Sequence, residues 1–225
     1  MTDTHEFAVR TQSIAKYEKR AAGYDQTCGP TWPIRLRTID LLALQPGERV
    51  LDVGCGTGLS LPLLADAVGS TGTVFGFDQS PDMFALAKTR IAQQQWPNVH
   101  LMLTSAQELS LPDKVDAFLF HYTHDILRST IAIDRLLGFA RPGARVAIAG
   151  IKYFPGVLNA LNPWVYAKNR PYNGGPSELR SPWDRIAPRL NHWQLTPTQW
   201  GMGYIASGRV LPAGRALPHH GVSGE

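Results

Sequence analysis

Two clusters of residues in this chain have types and spacings that could do chemistry. The first is the run Asp52-Val53-Gly54-Cys55-Gly56-Thr57-Gly58, at the end of the β-prone segment Val50-Leu51-Asp52-Val53. Glycines after a buried strand let the backbone turn tightly and lie against a ligand with no Cβ in the way. A helix that follows such a loop presents the free N–H groups of its first turn. The second cluster is Phe120-His121-Tyr122-Thr123-His124-Asp125, which gathers two imidazoles, a phenol and a carboxylate. His121 or His124 could titrate near neutral pH and act as a general base, with Asp125 orienting one of them. The two histidines are three positions apart with no evident third ligand, so no metal site is expected. Cys55 reads as filler between glycines and Cys28 as a structural thiol.

Strands and helices must alternate to position these clusters. Val50–Val53, Thr73–Phe77, Val99–Leu103, Val115–Phe120 and Ala144–Ile151 are the expected strands. Helices are expected over Ile34–Ala43, Leu59–Val68, Met83–Gln93 and Thr130–Phe139, the third announced by Ser80 at its cap and Pro81 in its first turn. A helical segment near Ile14–Ala22 precedes them, and Pro142-Gly143 is expected to stop the helix before the fifth strand. Alternation at this spacing predicts a doubly wound, Rossmann-like α/β fold. After Ile151 come many aromatics and prolines, read as a helical insertion that includes Trp183–Leu190. Closing strands around Trp193–Leu195 and Tyr204–Arg209 make a mostly parallel seven-stranded sheet with the last strand antiparallel.

Asp78 closes the second strand, one strand–helix–strand step beyond the glycine run. A carboxylate there can accept both hydroxyls of a ribose. Loop and acid together imply a ligand with an adenosine-like ribose. The dinucleotide pattern wants a further glycine at position 59, where this chain has Leu59. Asp52 beside the loop would repel a pyrophosphate but suits an ammonium or sulfonium group. The balance favours S-adenosyl-L-methionine over NAD, and an NAD(P)-dependent oxidoreductase is the rival reading.

At these residues the chain resembles the class I S-adenosylmethionine-dependent methyltransferases, in the subgroup with an N-terminal helical lid. Asp52 to Gly58 match the family's first motif, and Phe77-Asp78-Gln79-Ser80-Pro81 its second. Ser105-Ala106-Gln107 stand where the family contacts adenine, Ser105 replacing the usual Asp, and Tyr24-Asp25 match a frequent Tyr-Asp pair. Over roughly residues 14–152 the resemblance implies that Asp52, Gly54, Gly56 and Gly58 shape the methionyl side of the cofactor site, with Cys55 between them also in the cofactor-binding set. It further implies that Asp78 holds the ribose, that Ser105 and Ala106 border the adenine, that Gln79, Met83 and Gln107 are further cofactor-binding residues, and that His121 lines the wall. Tyr17 and Tyr24 would close over the cofactor from the lid. The implied reaction is methyl transfer to an oxygen or nitrogen of a small aromatic or anionic metabolite. A phospholipid amine methyltransferase and a non-catalytic cofactor-binding subunit are the alternatives.

Composition bounds the rest. The chain has 225 residues, 44% hydrophobic and 18% charged, with a formal charge of +4. That suits one methyltransferase domain over residues 1–210 and a flexible tail over 211–225. Within it, 1–45 would be lid and first helix, 46–152 the cofactor core and 153–210 the insertion and closing strands. From Arg141 onward there are ten Lys/Arg against three Asp/Glu. Such a basic third reads either as a solvated face or as an attraction for an anionic substrate or phospholipid surface, so peripheral membrane contact is an open expectation. No RNA-type motif accompanies it, so no nucleic-acid partner is expected. No run approaches ~20 apolar residues, and two cysteines make no disulfide framework, which points to a reduced, cytoplasmic protein. The aromatics between residues 153 and 204 are candidates for an acceptor pocket, with Lys152, Lys168 and Arg170 placed to meet an anion.

Overall fold

The central strands are nearly continuous apolar runs because both faces of the sheet are covered. A computed structural model describes residues 25–169 and 179–212. The strands are β1 (Arg49–Val53), β2 (Thr73–Asp78), β3 (Val99–Leu103), β4 (Val115–His121), β5 (Ala140–Ile151), β6 (Leu190–Thr198) and β7 (Gly203–Val210). They form one sheet in the order β3-β2-β1-β4-β5-β7-β6. Parallel pairing joins β3, β2, β1, β4 and β5, and β7 runs antiparallel to both β5 and β6. Chain order reverses between β1 and β4, so a crevice opens at the carboxyl ends of these two strands, the place where ligands of open α/β sheets bind.

Alternating side chains divide the core into two layers. Leu51, Val53, Phe75, Phe77, Phe118, Phe120 and Ile148 face one way, against α5 (Thr130–Leu137). Val50, Val74, Ala117, Leu119 and Ala147 face the other way. There they meet Ile39 of α1 (Trp32–Asp40), Leu61, Leu64 and Val68 of α2 (Leu61–Val68), and Ala87 of α3 (Pro81–Gln94). Ser80 caps α3 as its sequence announces, accepting from the N–H of Met83 at 3.5 Å. Two further helices are the single turn α4 (His124–Leu127) and α6 (Asn162–Asn169). Among the described residues no helix is long and apolar enough to cross a membrane.

Three departures from the sequence reading have a clear physical origin. The segment 183–190 is not an α-helix: turns lead into a 3-10 segment at Ala187–Arg189. Pro188 lacks the N–H that an α-helix would need there and clashes with the preceding turn. The helix from Thr130 ends at Leu137, and β5 begins at Ala140 rather than Ala144. Pro142-Gly143 therefore lies inside an irregularity of β5, where the register on β4 jumps between Val115 and Ala117 and Gly143 takes φ +74°. The expected helix near 14–22, with Tyr17 and Tyr24, lies outside the described residues, as do Arg170 and positions 213–225.

Gly76 in β2 shows how tightly the site's supports pack. A Cβ there would lie 2.8 Å from Leu101 Cδ2 and 3.4 Å from both Cys55 Sγ and Leu61 Cδ2. The bare strand lets the glycine loop and α2 fold down onto β2. Gly76→Ala is expected to destabilise the protein by about 1–3 kcal/mol through overpacking. Denaturant unfolding checks this, with the midpoint falling and the slope unchanged.

Candidate active site

The three glycines of the loop do different jobs. All have positive φ: Gly54 at +62°, Gly56 at +57° and Gly58 at +81°. A Cβ on Gly54 would lie 2.9 Å from Thr123 Cγ2, and one on Gly58 would lie 2.7 Å from Leu61 Cδ1 and 3.3 Å from the Ala87 Cα. These two permit close packing. A Cβ on Gly56 would meet nothing within 4 Å among the described residues, which leaves the room a ligand cradle needs. Cys55 is buried beneath the loop, and burial with the nearby Asp52 and Asp78 charges pushes its thiol well above the usual range. A thiol so held is no nucleophile at neutral pH.

Asp78 joins the loop to the next helix. One carboxylate oxygen accepts the Gly56 N–H at 2.9 Å and the other accepts the Ser80 N–H at 2.8 Å. Burial raises its pKa to about 6 against these hydrogen bonds. Each oxygen keeps a lone pair for a further donor. Asp52 is 2% exposed, and its Oδ2 has no partner among the described residues. Burial raises it to about 7, opposed by the Arg35 guanidinium and aided by Asp78. An orphaned buried carboxylate oxygen beside an open glycine fits a ligand that brings an ammonium and a ribose.

The adenine-side candidates lie around the ends of β2 and β3, where the Thr104 N–H donates to the Asp78 carbonyl at 3.1 Å. Ser105 spends its hydroxyl on Glu108 Oε2 at 2.7 Å, and its carbonyl accepts the Glu108 N–H. Ala106 and Met83 are buried, Gln79 is half-buried, and Gln107 is exposed with its amide 3.4 Å from Ser129 Oγ.

Sequence reasoning missed Arg35 and, although it noted Asp25 in a matching pair, gave that residue no role. Arg35 is only 7% exposed, donates to Ser60 Oγ through Nη1, and leaves Nε buried without a partner among the described residues. Its charge bears on Asp52, His121 and Tyr122. The signal lay in its register, because Arg35 shares the buried stripe of Thr38, Ile39 and Leu42. Asp25 accepts Thr57 Oγ1 at 2.6 Å and Arg90 Nη2 at 2.6 Å, while Arg90 Nε donates to the Thr57 carbonyl at 3.1 Å. This triangle ties the segment entering α1 to the glycine loop and α3.

At the end of β4 the chain turns through Tyr122, a non-glycine residue at φ +61°. His124 does not fit the role of a base with Asp125 behind it. Its Nε2 accepts the Ile151 N–H at 3.2 Å, and its Nδ1 is buried with no partner among the described residues. Burial, aided by Arg128, lowers the ring to about 4, so it stays neutral with its proton on Nδ1. His121 is also held neutral, its pKa well below the usual value through burial and Arg35, and its Nε2 is buried and unpartnered among the described residues. The Asp125 charge instead adds to the burial that raises Asp78, and partly offsets the burial that lowers Arg128. The aromatics after 153 split: Trp183 and Trp193 pack on the core and Tyr204 is fully buried, whereas Trp164 and Trp200 are exposed. Lys152 is half-buried with its Nζ 3.4 Å from the Tyr153 carbonyl, and the Lys168 side chain lies outside the described residues.

Gly58→Ala is expected to cost about 2–4 kcal/mol of stability, combining a strained backbone with a clash. Gly56→Ala adds only the backbone strain of about 1 kcal/mol but fills the cradle. Thermal unfolding of the two variants checks the difference: Gly58→Ala shows much the larger fall.

Comparison with known proteins agrees with this geometry. The family described as "Methyltransferase domain" matches residues 44–194. The chain is 28% identical over 186 residues to aklanonic acid methyltransferase DauC of Streptomyces sp. (strain C5), covering 76% of this chain and 81% of that one. It is 39% identical over 111 residues to 2-phytyl-1,4-naphtoquinone methyltransferase of Trichormus variabilis, there spanning only 46% of this chain and 47% of the relative. N-methyltransferase NodS of Bradyrhizobium japonicum WM9, solved with S-adenosyl-L-homocysteine, shares the fold with a TM-score of 0.63 at 16% identity, over 88% of this chain and 98% of that one. With a family match across two-thirds of its length, the chain belongs to the methyltransferase domain family and is an S-adenosylmethionine-dependent methyltransferase.

Proposed function

We propose that the acceptor is a small aromatic or anionic metabolite methylated on oxygen or nitrogen. The carrying observation is a group of buried polar atoms, set among aromatic rings, with no partner among the described residues. They are His121 Nε2, Tyr122 Oη, Thr123 Oγ1, His124 Nδ1 and Tyr204 Oη. The His121 and Tyr122 rings meet edge to face at 4.8 Å, as do those of Trp183 and Tyr204. Such rings bury a planar ligand and exclude water, while the polar atoms orient it. The names of the relatives point the same way, one acting on an acid and another on a naphthoquinone.

The cofactor supplies an electrophilic methyl group on a sulfonium sulfur. In this reading Asp52 meets its ammonium, Asp78 its ribose hydroxyls and Gly56 gives it room. Arg35 places positive charge near Tyr122 and His121, where an anionic acceptor gains. Catalysis then rests mainly on holding the acceptor atom aligned in a dry site, which is worth several orders of magnitude in rate.

Two experiments test this reading. Calorimetry with S-adenosyl-L-homocysteine is expected to show binding that Asp78→Ala weakens by about 1–3 kcal/mol, the scale of hydrogen bonds to a charged group. Unaltered affinity in that variant removes Asp78 from the ribose role. Screening with methyl-labelled cofactor is expected to find turnover among hydroxylated aromatic acids and quinols. Turnover confined to aliphatic amines contradicts the aromatic or anionic assignment.

A further inference from the structure

The hydrogen-bonding inventory at the carboxyl ends of β4 and β5 narrows the acceptor atom. His124 is the key. A backbone N–H can only donate, so the bond from Ile151 N at 3.2 Å makes Nε2 an acceptor. The neutral ring must then carry its proton on Nδ1, which is buried and makes no hydrogen bond among the described residues. Nδ1–H is therefore an obligate donor. Beside it stands Tyr204, fully buried on β7. A Cβ on Gly150 would lie 2.7 Å from His124 Cε1 and 2.8 Å from Tyr204 Oη, so the edge of the ring and the hydroxyl both pack on the same bare stretch of β5. Tyr122 completes the group, its ring 6.3 Å from that of His124 and its hydroxyl also buried and unpartnered among the described residues. Tyr122 and His124 are only half-buried as residues, so their polar tips point inward while other atoms face outward.

Resting on the aromatic or anionic reading above, we infer that this trio is an oxyanion-binding site. The acceptor presents a phenolate, enolate or carboxylate oxygen to His124 Nδ1–H and the hydroxyls of Tyr122 and Tyr204, and the methyl group goes to oxygen rather than nitrogen. Two phenols and an imidazole N–H can together offer three donors to one oxygen, the arrangement that stabilises a negative oxygen in a dry site. An amine would bring its own N–H donors against Nδ1–H and leave a buried donor unsatisfied, a costly mismatch. The carboxylates Asp52 and Asp78 stand on β1 and β2, on the glycine-loop side, where positive charge is wanted.

The chemistry is balanced without a base. An electron pair on the acceptor oxygen forms the new O–C bond while the C–S bond breaks. That bond's pair stays on sulfur, which becomes a neutral thioether, and no proton moves. This accounts for a reaction centre whose two histidines are both held neutral by burial.

The test uses the full chain loaded with S-adenosyl-L-homocysteine and two aromatic probes, 1-hydroxy-2-naphthoate and 1-naphthylamine. Calorimetry is expected to show the hydroxy acid binding at least about tenfold more tightly than the amine, the scale of one unsatisfied buried donor. Tyr204→Phe is expected to lower hydroxy-acid affinity about tenfold and leave the amine unchanged. In protein with 15N-labelled histidine, His124 should show the Nδ1–H form, and its Nδ1 signal should move with the hydroxy acid but not the amine. Equal or tighter binding of the amine, or an Nε2–H form of His124, overturns the inference alone. Binding of neither probe by protein that still takes up S-adenosyl-L-homocysteine overturns the aromatic or anionic reading beneath it, and the inference with it.

Discussion

The site depends on one carboxylate spanning two backbone N–H groups. Asp78 takes the Gly56 N–H on one oxygen and the Ser80 N–H on the other. Through it the glycine loop after β1 and the start of α3 share a single anchor. Gly54 and Gly58 can then pack against Thr123 and Ala87, while Gly56 meets nothing within 4 Å among the described residues. The anchoring charge is itself costly. Burial raises both Asp78 and Asp52, and desolvation of a carboxylate opposes folding wherever it must ionise. With folded-state values above those of the unfolded chain, these two groups favour the native state most at low pH. That contribution fades as pH rises through about 6 to 7. A fold that keeps two such acids at one edge of its sheet holds a negative potential ready for a cationic ligand.

The edge beside it has the opposite character. The Nδ1–H of His124 and the hydroxyls of Tyr122 and Tyr204 supply donors around the ends of β4 and β5, and Arg35, whose charge bears on both Asp52 and Tyr122, stands between the two. A positively charged methyl donor over the acids and an electron-rich acceptor over the donors would be matched in sign across the crevice. Parallel strands bring these groups together because the ends of β1, β4 and β5 lie side by side.

How much of this the sequence disclosed follows from how local each feature is. The glycine loop and Asp78 were legible because strand, loop, helix and strand follow one another at fixed spacing. The two-layer core was legible from apolar strands alternating with helices. Arg35 escaped notice because a charged residue in a buried stripe stands out only once the face of its helix is known. The role of Asp25 depends on Thr57 and Arg90, which are 32 and 65 positions away. His124 looked like a base in its own segment, and the N–H of Ile151, 27 residues later, takes its lone pair. The segment 183–190 looked helical by its apolar residues, and Pro188 decided otherwise.

The central claim is that Asp52 and Asp78 are held at raised pKa by burial until a cationic, ribose-bearing ligand pairs with them. A titration of protein 13C-labelled at the aspartate carboxyls, with and without S-adenosyl-L-homocysteine, tests it most directly. The free protein should show Asp52 titrating at about 7 and Asp78 at about 6, and both values should fall when the ligand binds. Affinity for the ligand should accordingly strengthen as pH rises through that window. Ordinary carboxylate values near 4 in the free protein, or values that stay put when the ligand binds, would contradict the account.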